Sequence, residues 1–134
     1  ISIPRNLLDR IAEQAKEEAP NEACGYLAGH RGEGRRLIRM TNVDASPEHF
    51  SLDPKEQFAA VKTARAEGLD LIAVYHSHPE TPARMSQEDI RLANDISTVY
   101  LIYSLAEGKL KGFRVDREKN VTEVPVEVVE EVAQ

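Results

Sequence analysis

Cysteine, basic charge and long apolar runs are all scarce in this sequence, and each shortage excludes a class of protein. Cys24 is the only cysteine. It rules out an internal disulfide and any four-cysteine zinc module, and it makes a reducing cytoplasm the expected compartment. Seventeen Lys and Arg residues face 23 Asp and Glu, for a net charge of -6. A phosphate backbone demands a basic surface, so nucleic acid is not an expected partner. No apolar run approaches the about 20 residues of a membrane span, so no membrane partner is expected. The chain begins at Ile1 and shows no charged-then-apolar leader, which gives secretion no support. Repeats, low-complexity tracts and linkers are missing too. The 134 residues are one domain's worth, and residues 1–134 are read as a single domain with its own core.

What is present alternates between helical and strand patterns. Leu7, Leu8, Ile11, Ala12 and Ala15 recur at helical spacing over residues 4–18, with Arg5, Asp9, Glu13 and Lys16 on the other face. Pro4 suits a first turn and Pro20 stops the run. Ala23–Gly29 and Arg35–Asn42 read as strands around a glycine-containing turn, and Phe50–Leu52 as a short third. Asp53-Pro54-Lys55-Glu56 is a helix start, with Asp53 as cap and Glu56 placed to close a capping box. Gly68 should end that helix. Leu69–His76 then reads as a buried strand, 79–85 as a loop and 86–94 as a helix. Thr98–Leu105 and Lys109–Val115 form a hairpin pattern, Val121–Val129 a last strand or tail, and 130–134 a disordered end. The order predicts an α/β fold, a mixed sheet flanked by helices. The loop after His76 would then lie at the carboxyl end of a central strand, where open sheets place their sites.

The chemistry concentrates in Tyr75-His76-Ser77-His78-Pro79. A strand repeats every second residue, so His76 and His78 share a face and their rings can converge on one small ion. Pro79 biases His78 toward extended backbone, so strand geometry should persist through it. Two histidines alone make a weak zinc site, because catalytic zinc usually takes three protein ligands. Asp89, eleven residues after His78, is the candidate third ligand, with Glu80 and Glu88 as rivals. Taken locally, Ser86-Gln87-Glu88-Asp89 is equally a helix-capping pattern, and capping and ligation can coexist. Ser86 would then sit close enough to steady a water or an oxyanion. A hydrolase also needs a proton shuttle. Glu22, at the start of the apolar segment 23–28, is the candidate, against the plainer reading of a surface acid after Pro20-Asn21. Cys24 reads as a small buried hydrophobe sooner than as a reactive thiol.

Taken together, Glu22, His76-Ser77-His78-Pro79 and Ser86-Gln87-Glu88-Asp89 resemble the full signature of the JAMM (MPN-plus) metalloproteases. Seven residues, Pro79–Met85, separate the second histidine from the serine, as in that signature. The resemblance implies a curved mixed sheet whose outline is similar to the zinc deaminase core. It implies one zinc per chain on His76, His78 and Asp89, with Glu22 as general acid/base and Ser86 stabilising the tetrahedral intermediate. Asn21–Gly29, Met40-Thr41-Asn42, Ser46-Pro47, Phe50–Asp53 and Glu56-Gln57 look like the small bacterial branch of the family. That branch implies a peptidase or isopeptidase cutting after the Gly-Gly tail of a ubiquitin-like sulfur-carrier protein. The alternative is an inactive scaffold of the same fold, which the intact five-residue set argues against. A deaminase would need a Cys-x-x-Cys pair that one cysteine cannot supply.

Overall fold

The computed structural model describes residues 1–130. Of the end expected to be disordered, 131–134 lies outside the described residues, while the Glu130 carboxylate accepts from Arg5 Nη2 at 2.8 Å. The elements run β1 (Ser2–Pro4), α1 (Arg5–Glu18), β2 (Cys24–His30), β3 (Glu33–Met40), α2 (Pro54–Ala66), β4 (Asp70–His78), α3 (Gln87–Leu92), β5 (Val99–Ser104), β6 (Lys109–Val115), β7 (Val121–Val124) and β8 (Glu127–Val129). One eight-stranded mixed sheet has the order β7-β6-β5-β4-β2-β3-β1-β8. Its two edge strands follow each other in the chain across Pro125-Val126, so the sheet is curled almost back on itself.

Three expectations need correction. The segment 121–129 is not one strand. Pro125 has no N–H for a ladder, and on either side of it the chain pairs with opposite edges of the sheet, Val121–Val124 with β6 and Glu127–Val129 with β1. Phe50–Leu52 forms no strand either, only an isolated bridge from Leu52 to Asn42, because its neighbours bond within a loop. Asp53 does cap α2, accepting from Lys55 N, but Glu56 does not close the capping box. Its carboxylate accepts instead from Thr41 N at 2.8 Å and Thr41 Oγ1 at 2.9 Å, fastening α2 to the end of β3. The helix ends as expected at Gly68, whose φ of 70° lets Gly68 N and Leu69 N bond back to Arg65 O and Ala64 O.

Strand alternation divides the core. Leu27, Leu37, Ala73, Tyr75, Leu101 and Tyr103 pack with Leu7, Ile11 and Ala15 of α1 inside the curl. Cys24 and Met40 lie on the other face with Ala60 of α2, flanked by Phe50 and Leu52. Cys24 pairs directly with His76, so His76 and His78 belong to this second face. Strand β4 is central, antiparallel to β2 and parallel to β5, and runs through both histidines as Pro79 predicted.

Candidate metal centre and active site

His76 and His78 are both buried, with their Nε2 atoms 3.2 Å apart. Each is aimed by its surroundings. His78 Nδ1 lies 2.9 Å from Pro82 O, which fixes its Nε2 as the inward nitrogen. The ring of His76 stacks on Phe50 at 4.8 Å. The turn after β4 is tied down in turn, by Ser104 Oγ donating to Thr81 O at 2.7 Å and Ala83 N to Glu107 Oε1 at 2.8 Å. It returns the chain so that α3 brings Asp89 over the strand end. Asp89 Oδ1 lies 3.2 Å from His76 Nε2, and Asp89 Oδ2 2.9 Å from His78 Nε2.

Asp89 also completes a capping box. It accepts from Ser86 N and receives the Ser86 Oγ acceptor on its own N–H, both at 3.0 Å. Capping and convergence on the histidines therefore coexist in one carboxylate. Ser86 Oγ uses a lone pair in the cap, which leaves its O–H free to donate. The rivals do not converge. Glu88 pairs with Arg91 at 2.6 Å, and among the described residues Glu80 makes no hydrogen bond or ion pair with the cluster.

Glu22 is 2% exposed, which overturns the plainer reading of a surface acid. One of its oxygens lies within 4.8 Å of a nitrogen of both histidines, and Oε1 is buried with no hydrogen-bond partner among the described residues. Its backbone is held by Ser46 O and the Asn42 side chain, and the next residue by Ser77, whose Oγ accepts from Ala23 N at 2.7 Å. Ser77 and Asn42 hold the backbone of residues 22 and 23, and periodicity does not flag either, since neither residue type in isolation points to a site. A cavity of about 270 Å³ opens beside the cluster, lined by Phe50, Leu52, Met85, Leu92 and Tyr100 and reaching His76 and Asp89.

The electrostatics follow from burial and these contacts. Burial alone would raise the Asp89 carboxyl, but hydrogen bonds from His76 and His78 hold it far below the usual carboxylate range. Burial would lower His78, yet its bonds to Asp89 and Pro82 O raise it. Glu22 is pushed up to about 8, mainly by desolvation, with His78 opposing and Asp89 adding. Burial pushes Cys24 up to about 12, as expected of an inert core residue.

The donor set fits a small divalent ion. Two imidazole nitrogens and a carboxylate are zinc's habitual ligands. Bond lengths of about 2.0–2.1 Å in a tetrahedron put donors about 3.3–3.4 Å apart, close to the 2.9–3.2 Å separations here. The orphaned Glu22 oxygen is what a buried acid beside such an ion needs, a group still free to bond water.

An α/β sheet that ends a central strand in such a cluster is the architecture of a metal-dependent hydrolase. Residues 4–116 match the model of the prokaryotic homologs of the JAB domain, and the chain belongs to that family. The CysO-cysteine peptidase of Mycobacterium tuberculosis is 34% identical, over 96% of this chain and 91% of its own. A probable TtuB-protein conjugate cleaving protease of Thermus thermophilus is 42% identical, over 68% of this chain and 62% of its own. Among solved structures, a Desulfitobacterium hafniense protein superposes with a TM-score of 0.90 at 41% identity, covering 98% of this chain and 94% of that one. A structure described as JAMM, a metalloprotease-like zinc site in the proteasome and signalosome, matches at 0.60 and 26% identity, over 97% and 98%. Two of these relatives are named as a peptidase and a protease, and the chain is a hydrolase of peptide or isopeptide bonds.

Proposed function

We propose that this protein is a zinc peptidase of the cytoplasm that cuts the bond after the C-terminal Gly-Gly of a ubiquitin-like sulfur-carrier protein. The ligands are His76, His78 and Asp89, with one ion per chain. The observation that carries the reading is the convergence of these three buried side chains at 2.9–3.2 Å beside a Glu22 whose Oε1 has no hydrogen-bond partner among the described residues. Asp89 takes the ligand role in preference to Glu22 because it touches both Nε2 atoms, whereas Glu22 bonds to neither.

His76, His78 and Asp89 would hold a zinc ion, which would supply Lewis acidity and a nucleophilic water near neutral pH. Glu22 accepts a proton at its carboxylate and returns it to the leaving amine. Its raised affinity for protons, set by burial, places it near the working range of such a shuttle. Ser86, with its O–H unused by the cap, donates to the oxyanion of the tetrahedral intermediate. Names of relatives support the substrate class, since these are a CysO-cysteine peptidase, a protease for TtuB-protein conjugates and a desampylase.

The deciding experiment compares wild type with Glu22→Gln on a ubiquitin-like carrier extended beyond Gly-Gly. The variant should hold about one zinc per chain and lose turnover by on the order of 10²–10⁴-fold. Cleavage by Glu22→Gln at the wild-type rate would overturn the assignment of roles. An inactive wild type carrying stoichiometric zinc, tested on several such carriers, would leave a scaffold.

A further inference from the structure

Among the described residues no hydrogen-bond partner orients Glu22 Oε1, so the aim of the carboxylate depends on its backbone. That backbone is held from both sides by one loop. Glu22 N donates to Ser46 O at 2.8 Å, and Glu22 O accepts from Asn42 Nδ2 at 3.1 Å. Asn42 is 7% exposed, and its amide organises the whole segment 42–51. Its Oδ1 accepts from Asp44 N at 3.1 Å and Ser51 N at 3.2 Å. Its Nδ2 donates also to His49 O at 3.1 Å and, more weakly, to Ser46 O at 3.5 Å. Two N–H groups at one end and carbonyls at the other leave the amide a single workable orientation.

The same loop builds the wall of the cavity. His49, Phe50 and Ser51 line it, and Phe50 stacks on His76. One side chain thus ties the backbone of the proton-transfer residue to the wall that substrate must meet. We propose that Asn42 is a positioning residue that sets the Glu22 carboxylate against His76 and His78 and keeps it in register with the cleft. This rests on the reading of Glu22 given above. Only an amide serves both ends. Aspartate keeps the acceptor for Asp44 N and Ser51 N, but turns its second oxygen against the carbonyls of Glu22 and His49. A misplacement of about 1 Å costs on the order of 10²-fold in rate, so a positioning loss should be large.

The test uses zinc-loaded wild type, Asn42→Asp, Glu22→Gln and the double variant, on a Gly-Gly carrier extended by a short peptide. Asn42→Asp should keep its zinc and lose about 10–100-fold in kcat. In the Glu22→Gln background, the same change should alter the residual single-turnover rate by less than about 2-fold, because the group it positions is gone. Amide exchange gives a readout without catalysis. The Glu22 N–H should exchange at least about 10-fold faster in Asn42→Asp, with Leu101 in the core unchanged. If Asn42→Asp does not fold, Asn42→Ser keeps one donor and should lose less kcat while showing the same dependence on Glu22. Equal losses in both backgrounds, kcat within 2-fold of wild type, or unchanged Glu22 exchange would each overturn the proposal. Full activity of Glu22→Gln would instead refute the role of Glu22, a separate result.

Discussion

Gly25→Ala should be among the most damaging single-methyl changes in the molecule, and the reason is a neighbour rather than the backbone. Gly25 pairs with Tyr75 across β2 and β4, and the tyrosine ring lies over it. A Cβ at residue 25 would meet Tyr75 Cε1 and Ile38 O at 2.5 Å, inside any real contact. The ring must move, and because the Ile38 carbonyl is sheet backbone, β2 must shift from β3 as well. Tyr75 is fully buried, and its hydroxyl donates to Gln14 Oε1 at 2.5 Å, while Gln14 Nε2 donates to Cys24 O at 3.0 Å. Overpacking costs about 1–3 kcal/mol, and leaving the Tyr75–Gln14 pair unmade costs about 1–3 kcal/mol more. The sum is about 2–6 kcal/mol. An unfolding entropy of about 2.1 cal/mol/K per residue gives about 0.28 kcal/mol/K over 134 residues. The melting temperature should therefore fall by about 7–21 °C, read by circular dichroism on metal-free protein. A fall under about 3 °C would refute the reasoning. So would strict additivity with Tyr75→Leu, because removing the ring removes the side-chain part of the obstruction and the pair should couple by at least about 1 kcal/mol.

Three further outcomes are expected. Asp89→Ala should drop the zinc content from about one per chain to near zero by elemental mass spectrometry, and retained zinc would reduce Asp89 to a helix cap. Lys119 Nζ donates to Ala93 O at 2.7 Å, Asn94 Oδ1 at 3.0 Å and Arg91 O at 3.3 Å, clamping the end of the short helix that carries Asp89; Lys119→Met should weaken zinc by about 3–10-fold in competition with a chromophoric chelator, and an unchanged affinity would exclude the clamp. In metal-free protein, Glu22 has a folded value of about 8 against an ordinary 4.5, so its contribution is full below 4.5 and lost as pH rises through 8; Glu22→Gln should therefore gain stability relative to wild type from pH 5 to pH 9, and parallel denaturation curves across that range would contradict it.

The helices and the central strand were legible because their signals are local. The Leu7, Ile11, Ala15 stripe, the Asp53-Pro54 start and the Gly68 stop act within a few residues, and each appears where the pattern placed it. What was not legible depends on residues far apart. Strand β1 has three residues, and it exists because β3 and β8 pair with it from both sides. The division of 121–129 at Pro125 needs both edges of the curled sheet to be present. Glu56 looked like a local cap, but Thr41, fifteen residues away, offers its N–H and hydroxyl together. Asn42 and Ser77 carry no periodic or charge signal at all, and their importance appears only when five backbone groups converge on one and β2 meets β4 at the other.

The site itself was readable for a different reason. His76, His78, Ser86 and Asp89 lie within fourteen residues of sequence, on one strand, one turn and one helix start. Alternation, the proline after His78 and the capping box each fix a direction locally, and the three directions meet. On the proposed assignment, the capping box is what makes the third ligand dependable. Asp89 is held to Ser86 N whether or not an ion is present, so the helix start sets the carboxylate toward the histidines before any metal arrives. Without metal, the histidines protect that carboxylate by hydrogen bonds, which is why Asp89 stays ionised and His78 holds a proton more firmly. Metal must displace that proton, so zinc uptake should release protons and weaken as pH falls. On the proposed assignment the capping and ligand roles of Asp89 are thus two stages of one design, the first preparing the geometry that the second would use.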